Sequence, residues 1–254
     1  LGLSSTIYGL GNRIERLHGA DARSGRTVLD VRYDALSGGR YGLAVHRAAL
    51  FTTLHDAVVA ERIAVRTGIS LAKAETRQAR TVLHDVDGEI VGDYDLVVDA
   101  TGARSQLVAA SVVAPAIREL PWGAFWATLD CDGIDHDPRA LTQRYDAAKV
   151  MIGVLPVGRA HLAEGRKVAF FWSLKIAEAD AVRKAGLARW KAGIADYWPE
   201  TAPFLDQIAD WDQLTLARYA HRTALPPHAD GIVFIGDSAH STSPQLGQGA
   251  NMAL

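Results

Sequence analysis

Two short apolar runs constrain this chain more than any other feature. "DLVVDATG" (Asp95–Gly102) and "DGIVFIGDSAH" (Asp230–His240) each set consecutive branched or aromatic residues ahead of a glycine turn. A run without polar alternation suits a strand buried on both faces, as in a parallel sheet. Between the two lie "WGAFWATLDC", "KVMIGVLPVG" and "RKVAFFWSLK", aromatic and β-branched strands separated by polar loops. This order predicts a mixed α/β chain: one Rossmann-like domain interrupted by a second, mainly antiparallel sheet.

Composition narrows the partners. The 254 residues are 48% hydrophobic and 22% charged, with a formal net charge of -2, so the charge does not point to nucleic acid. No apolar run approaches the roughly 18 residues of a membrane span, which predicts a soluble, cytoplasmic protein with no integral membrane segment. The single cysteine, Cys131, excludes an intrachain disulfide and a cysteine cluster for zinc, and fits a reducing compartment. No metal site is expected. The chain begins at Leu1 without a methionine and stops inside a glycine-rich stretch, which reads as a sequence cut at both ends.

"RAALFTTLHDAVVA" (Arg47–Ala60) spaces Leu50, Phe51, Leu54, Ala57 and Val58 as an amphipathic helix, after a strand-like "YGLAV". "IAVRTG", "SLAKAETRQ" and "TVLHDVDGEIVGDY" read as a small antiparallel meander, with Asp87 and Gly88 as the two positive-φ positions of a tight hairpin. A helix is predicted from Glu178 to Trp198, ended by Pro199, and a strand over "QLTLARYAHRT". The expected division is 1–118 and 213–254 for the interrupted domain and 119–212 for the inserted sheet.

Sheets of this kind place ligands at the carboxyl ends of their strands. "FIGDSAH" falls at such an end: Gly236 permits a sharp exit, and Asp237 offers a carboxylate to sugar or polyol hydroxyls. Downstream, Pro244 fixes a turn, Gly247 and Gly249 clear side chains away, and a helix beginning near Gly249 would aim free N–H groups at an electron-rich ring. His240 is a weak catalytic candidate because no carboxylate or nucleophile stands beside it in sequence. Trp122, Phe125, Trp126, Phe171 and Trp172 fit either an aromatic pocket wall or plain core.

Together, "HRAAL" (His46–Leu50), "DLVVDATGARS" (Asp95–Ser105) and "GIVFIGDSAHSTSPQLGQGANMAL" occur in the order found in the FAD-dependent aromatic hydroxylases, and the chain resembles that family. These are the single-component flavoprotein monooxygenases with the p-hydroxybenzoate hydroxylase fold. The resemblance implies FAD as cofactor, with Arg47, Gly102, Gly236, Asp237, Pro244, Gly247, Gly249, Ala250 and Asn251 as its contacts and Pro244 beside the flavin's reactive edge. It further implies NADPH or NADH as electron donor, O2 added to the flavin as a hydroperoxide, and a small, electron-rich aromatic substrate.

The sequence departs from the family in places. Thr101 stands where the family has an aspartate, and Val108 where it has an arginine, so two charges expected to handle the nicotinamide donor are missing. These losses keep open a two-component monooxygenase served by a flavin reductase, a halogenase or a reductase. A non-catalytic flavin- or ligand-binding module is the alternative of another class. "YGLGNRIE" lacks both the preceding strand and the third glycine of a dinucleotide fingerprint, which the family would place ahead of Leu1.

Overall fold

The computed structural model describes residues 2–110 and 117–244. Two compact units compose it: Leu1–Ala64 with Pro121–Ala217, and Val65–Leu120 with Arg218–Leu254. The chain opens with α1 (Ser4–Leu10), β1 (Asn12–Ile14), β2 (Arg16–Asp21), β3 (Thr27–Arg32), β4 (Gly42–Ala44) and α2 (Arg47–Ala60). Next come β5 (Leu71–Arg77), β6 (Arg80–Asp85), β7 (Ile90–Tyr94) and β8 (Val97–Asp99). The aromatic stretch forms β9 (Arg118–Asp130), β10 (Ala140–Asp146), β11 (Val150–Gly158) and β12 (Lys167–Lys175), followed by α3 (Ala179–Ala185), α4 (Leu187–Tyr197) and α5 (Ala202–Leu205). The last elements are β13 (Thr215–Thr223), β14 (His228–Ala229), β15 (Ile232–Phe234) and β16 (His240–Ser241).

In the first unit, strands run in the order β9-β12-β11-β10-β2-β3, antiparallel except for the parallel pair β10–β2. Period-two alternation sends Phe125, Ile152, Val154, Val168, Phe170 and Leu174 to one face, where Trp190, Ile194, Phe204 and Ile208 cover them. Trp190 meets Phe125, Phe170 and Trp172 edge-on at 6.4, 6.3 and 6.1 Å, the arrangement the ring quadrupole favours. Phe125 and Trp172 are therefore core residues of this face. Trp126 and Phe171 stack at 4.9 Å on the other face, and Phe171 lies so close over Gly153 that a Cβ there would enter its ring.

Two helix expectations change. The run 178–198 is two helices, because Gly186 takes φ +94°, a conformation open to glycine, and ends α3 before α4 begins. Helix α2 has the expected bounds but turns a different face inward: Ala49 and Thr53 are buried, while Leu50, Phe51 and Leu54 are exposed. A spacing of three and four identifies a stripe without fixing which neighbours meet it. Here α2 packs against α1, and its buried residues are the small Ala49 and Thr53.

The second unit holds the meander β5-β6-β7 and a three-stranded sheet, β14-β15-β8. Residues 63–68 form no strand; the meander starts at Leu71. Its tight two-residue turn is Gln78–Ala79, both at positive φ, whereas at Asp87–Gly88 only Gly88 has positive φ. There the Asp85 carboxylate accepts the N–H groups of Asp87 and Glu89 at 3.0 and 2.9 Å and shapes a longer loop. Strands β15 and β8 are parallel, as expected. They are not buried on both faces: Val97, Ile232 and Phe234 enter the core of this unit, but Leu96, Val98 and Ile235 are exposed. Three short strands with one packed side leave the alternate residues uncovered among the described residues. No helix of the described residues is long and apolar enough to cross a membrane.

Candidate functional site

Parallel register pairs Ile232 with Val97, Val233 with Val98 and Phe234 with Asp99, so β15 and β8 end side by side. The turns leaving them, 100–105 and 236–238, thus share one carboxyl edge. The Ile235 N–H donates to the Asp99 carbonyl at 3.0 Å and extends the ladder to the turn. Gly102 (φ +89°) and Gly236 (φ +56°) both take the left-handed conformation that glycine allows without strain. Among the described residues, no atom beyond its chain neighbours stands within 4 Å of a Cβ built on Gly102, so conformation rather than crowding requires glycine there.

Asp99 joins the turns, and the sequence reading passed over it. The residue is 1% exposed. Oδ1 accepts the Thr101 N–H at 2.9 Å, the Thr101 hydroxyl at 2.6 Å and the Ser238 hydroxyl at 3.1 Å, while Oδ2 accepts the Ser105 hydroxyl. Ser238, fully buried, takes the Gly102 N–H on its Oγ at 2.9 Å. Arg222 approaches from β13 and donates to the carbonyls of Gly102 and Ser105 at 3.1 and 3.4 Å. Burial pushes its guanidinium below the usual arginine value, and the nearby Asp99 charge opposes that shift. Among the described residues its Nε is buried without a hydrogen-bond partner. The signal for this network was an acidic residue closing an apolar strand, a position where an unpaired carboxylate is expensive.

Asp237 is exposed at the turn and free to accept donors from a ligand. His240 lies in β16 opposite Thr223 and is half-buried. Pro244 is exposed; the Ser243 N–H just before it donates to His221 Nε2 at 3.1 Å. Gly247, Gly249, Ala250 and Asn251 lie outside the described residues. Thr101 gives its hydroxyl to Asp99, and Val108 is buried in the unit's core. Neither offers charge to a ligand.

In the first unit, Arg47 is exposed as the first residue of α2. His46 before it holds Nδ1 buried with no hydrogen-bond partner among the described residues, and its pKa is lowered by burial, reinforced by Lys167 and His161 and opposed by Glu164.

No protein-family model matches the chain. Two curated proteins do. 3-Amino-4-hydroxybenzoate 2-monooxygenase of Streptomyces cremeus is 30% identical over 263 aligned positions, which cover all of this chain and 62% of that protein. Along its whole length the chain is thus similar to a monooxygenase. A second such enzyme, nanF of Aspergillus nanangensis, is 26% identical over 242 positions, covering 85% of this chain and 51% of its own. The chain thus spans between half and two thirds of the length of these relatives. Among solved structures, a variant of Klebsiella pneumoniae HpxO complexed with FAD superposes with a TM-score of 0.77 at 21% identity, over 99% of this chain and 65% of that one. The likeness extends the relationship from sequence to fold: a mixed α/β chain with a large sheet.

Proposed function

We propose that this protein binds FAD and serves as a monooxygenase that hydroxylates a small aromatic or otherwise electron-rich molecule, with O2 and NADPH or NADH as co-substrates. The observation that carries the proposal is the pair of glycine turns, at Gly102 and Gly236, set side by side at the carboxyl ends of two parallel strands. The names of the curated relatives supply the class of reaction.

The residues present suit the cofactor. Asp237 is exposed, as a carboxylate must be to accept hydrogen bonds from ribityl hydroxyls. The open space beside Gly102 lets backbone approach a ligand closely. By the motifs, Arg47 would balance diphosphate charge, while Pro244, Gly247, Gly249, Ala250 and Asn251 would border the ring. The N–H groups of Gly249, Ala250 and Asn251 would stabilise negative charge at its pyrimidine end. Bound flavin would supply the activation of oxygen; the chain orients the substrate and excludes water. His240 remains a weak candidate near the flavin edge. In function, we assign 1–118 and 213–254 to the cofactor and 119–212 to the substrate, although residues 1–64 pack with the large sheet. The single cysteine, buried and free, suits a reducing cytoplasm.

Thr101 and Val108 favour a second reading, in which a separate reductase supplies reduced flavin. The hydroxyl of one is bound to Asp99 and the other is buried, so neither is a charged contact for a nicotinamide. Anaerobic mixing of full-length holoprotein with NADPH and with NADH separates the two. Bleaching of the flavin by either supports direct reduction; no bleaching by either supports the reductase-fed enzyme.

A further inference from the structure

The Asp99 carboxylate receives four donors, and all of them come from the two turns it joins. Three of them converge on Oδ1 and one on Oδ2, so most of the acceptor capacity of this carboxylate is spent within the fold. Gly102 is held on both of its peptide groups, its N–H by Ser238 and its carbonyl by Arg222. Thr101 therefore faces inward in function: its hydroxyl closes the turn onto Asp99 although the residue itself is exposed.

We infer that Asp99, seconded by Arg222, is the positioning residue of the cofactor turns, and that Thr101 is its tie rather than a stand-in for an acidic ligand contact. The inference rests on the FAD reading. It has an unexpected corollary. Thr101→Asp, which would restore the acidic residue of related enzymes, exchanges a donor for a second carboxylate against Asp99, and like charges at that range repel.

The test is FAD titration of apo-protein prepared from the full-length protein and its variants, with the thermal melt of each apo-protein recorded alongside. Wild type is expected to bind FAD, and Thr101→Ser, which keeps the hydroxyl, to bind within about twofold of it. Thr101→Val keeps the shape without the donor and is expected to bind roughly three- to tenfold more weakly, the size of one lost hydrogen bond, while the apo-protein still unfolds cooperatively with its Tm lowered by only a few degrees. Thr101→Asp and Asp99→Asn are expected to bind more weakly still. Wild-type affinity in Thr101→Val, or tighter binding in Thr101→Asp, overturns the inference. Wild-type protein that takes up no FAD overturns the flavin reading itself, and the inference with it.

Discussion

The Ser238 hydroxyl donates to Asp99 Oδ1 at 3.1 Å, joining residues 139 positions apart in sequence. The same oxygen of Ser238 accepts the Gly102 N–H, so one buried serine couples the ends of two strands through a carboxylate and a peptide. Glycine turns supply permissive backbone; this pair of bonds decides where the turns stand. Each group is buried, so losing one partner would leave the other unsatisfied at a cost of about 1–3 kcal/mol.

Asp237 stands exposed one residue before Ser238, and Asp237→Ala separates binding from folding. Surface substitutions of this kind change stability by no more than about 0.5 kcal/mol. A carboxylate that accepts ligand hydroxyls is worth about 1.5–3 kcal/mol, so FAD affinity should fall roughly tenfold or more. Equilibrium dialysis of the full-length variant, with urea unfolding beside it, checks both halves.

How much of this was legible in sequence depended on how local each signal was. Helix α2 and strands β9, β11 and β12 follow from periodicity and β-branched content, and appear with nearly the expected bounds. Strand β10, "ALTQRYD", escaped notice because its residues neither alternate clearly nor form an apolar run; its pairing with β11 and β2 supplies what its propensity does not. The Gln78–Ala79 turn was hidden for a related reason: positive φ at two non-glycine residues leaves no mark in composition. Exposed Leu96 and Val98 show the limit of reading an apolar run as burial. Asp99 and Arg222 could be placed only once residues far apart in sequence were brought together.

Gly158 has φ +79°, and a Cβ there would strike the Leu10 carbonyl. Backbone cannot yield as a side-chain tip can, so Gly158→Ala combines left-handed strain with overpacking. A loss of at least about 2 kcal/mol is expected. Urea midpoints of the variant and of the wild-type protein measure it.

Phe170 is fully buried between the large sheet and α4 and meets Trp190 edge-on. Phe170→Ala should cost about 3–5 kcal/mol by leaving a cavity that the surrounding strands cannot close. The same denaturation series gives the value, and a loss below 1 kcal/mol would mean that this face is not the core.

His46 is held below the ordinary histidine pKa, chiefly by burial, and His18 likewise, aided by Arg16 and Arg144. A lowered folded pKa means the unfolded chain binds protons first. Their contribution is therefore complete above about pH 6.5 and declines as pH falls from there through the folded values. Thermal melts from pH 8 to 5 should show Tm falling on the acid side, with a shallower fall in His46→Gln.

Released cofactor bears most directly on the function. Denaturing a purified full-length preparation and identifying the flavin in the supernatant measures what the turns at Gly102 and Gly236 hold. The expected result is a yellow protein that yields close to one equivalent of FAD. A colourless preparation that releases none, and takes none up when FAD is added, would contradict the cofactor assignment.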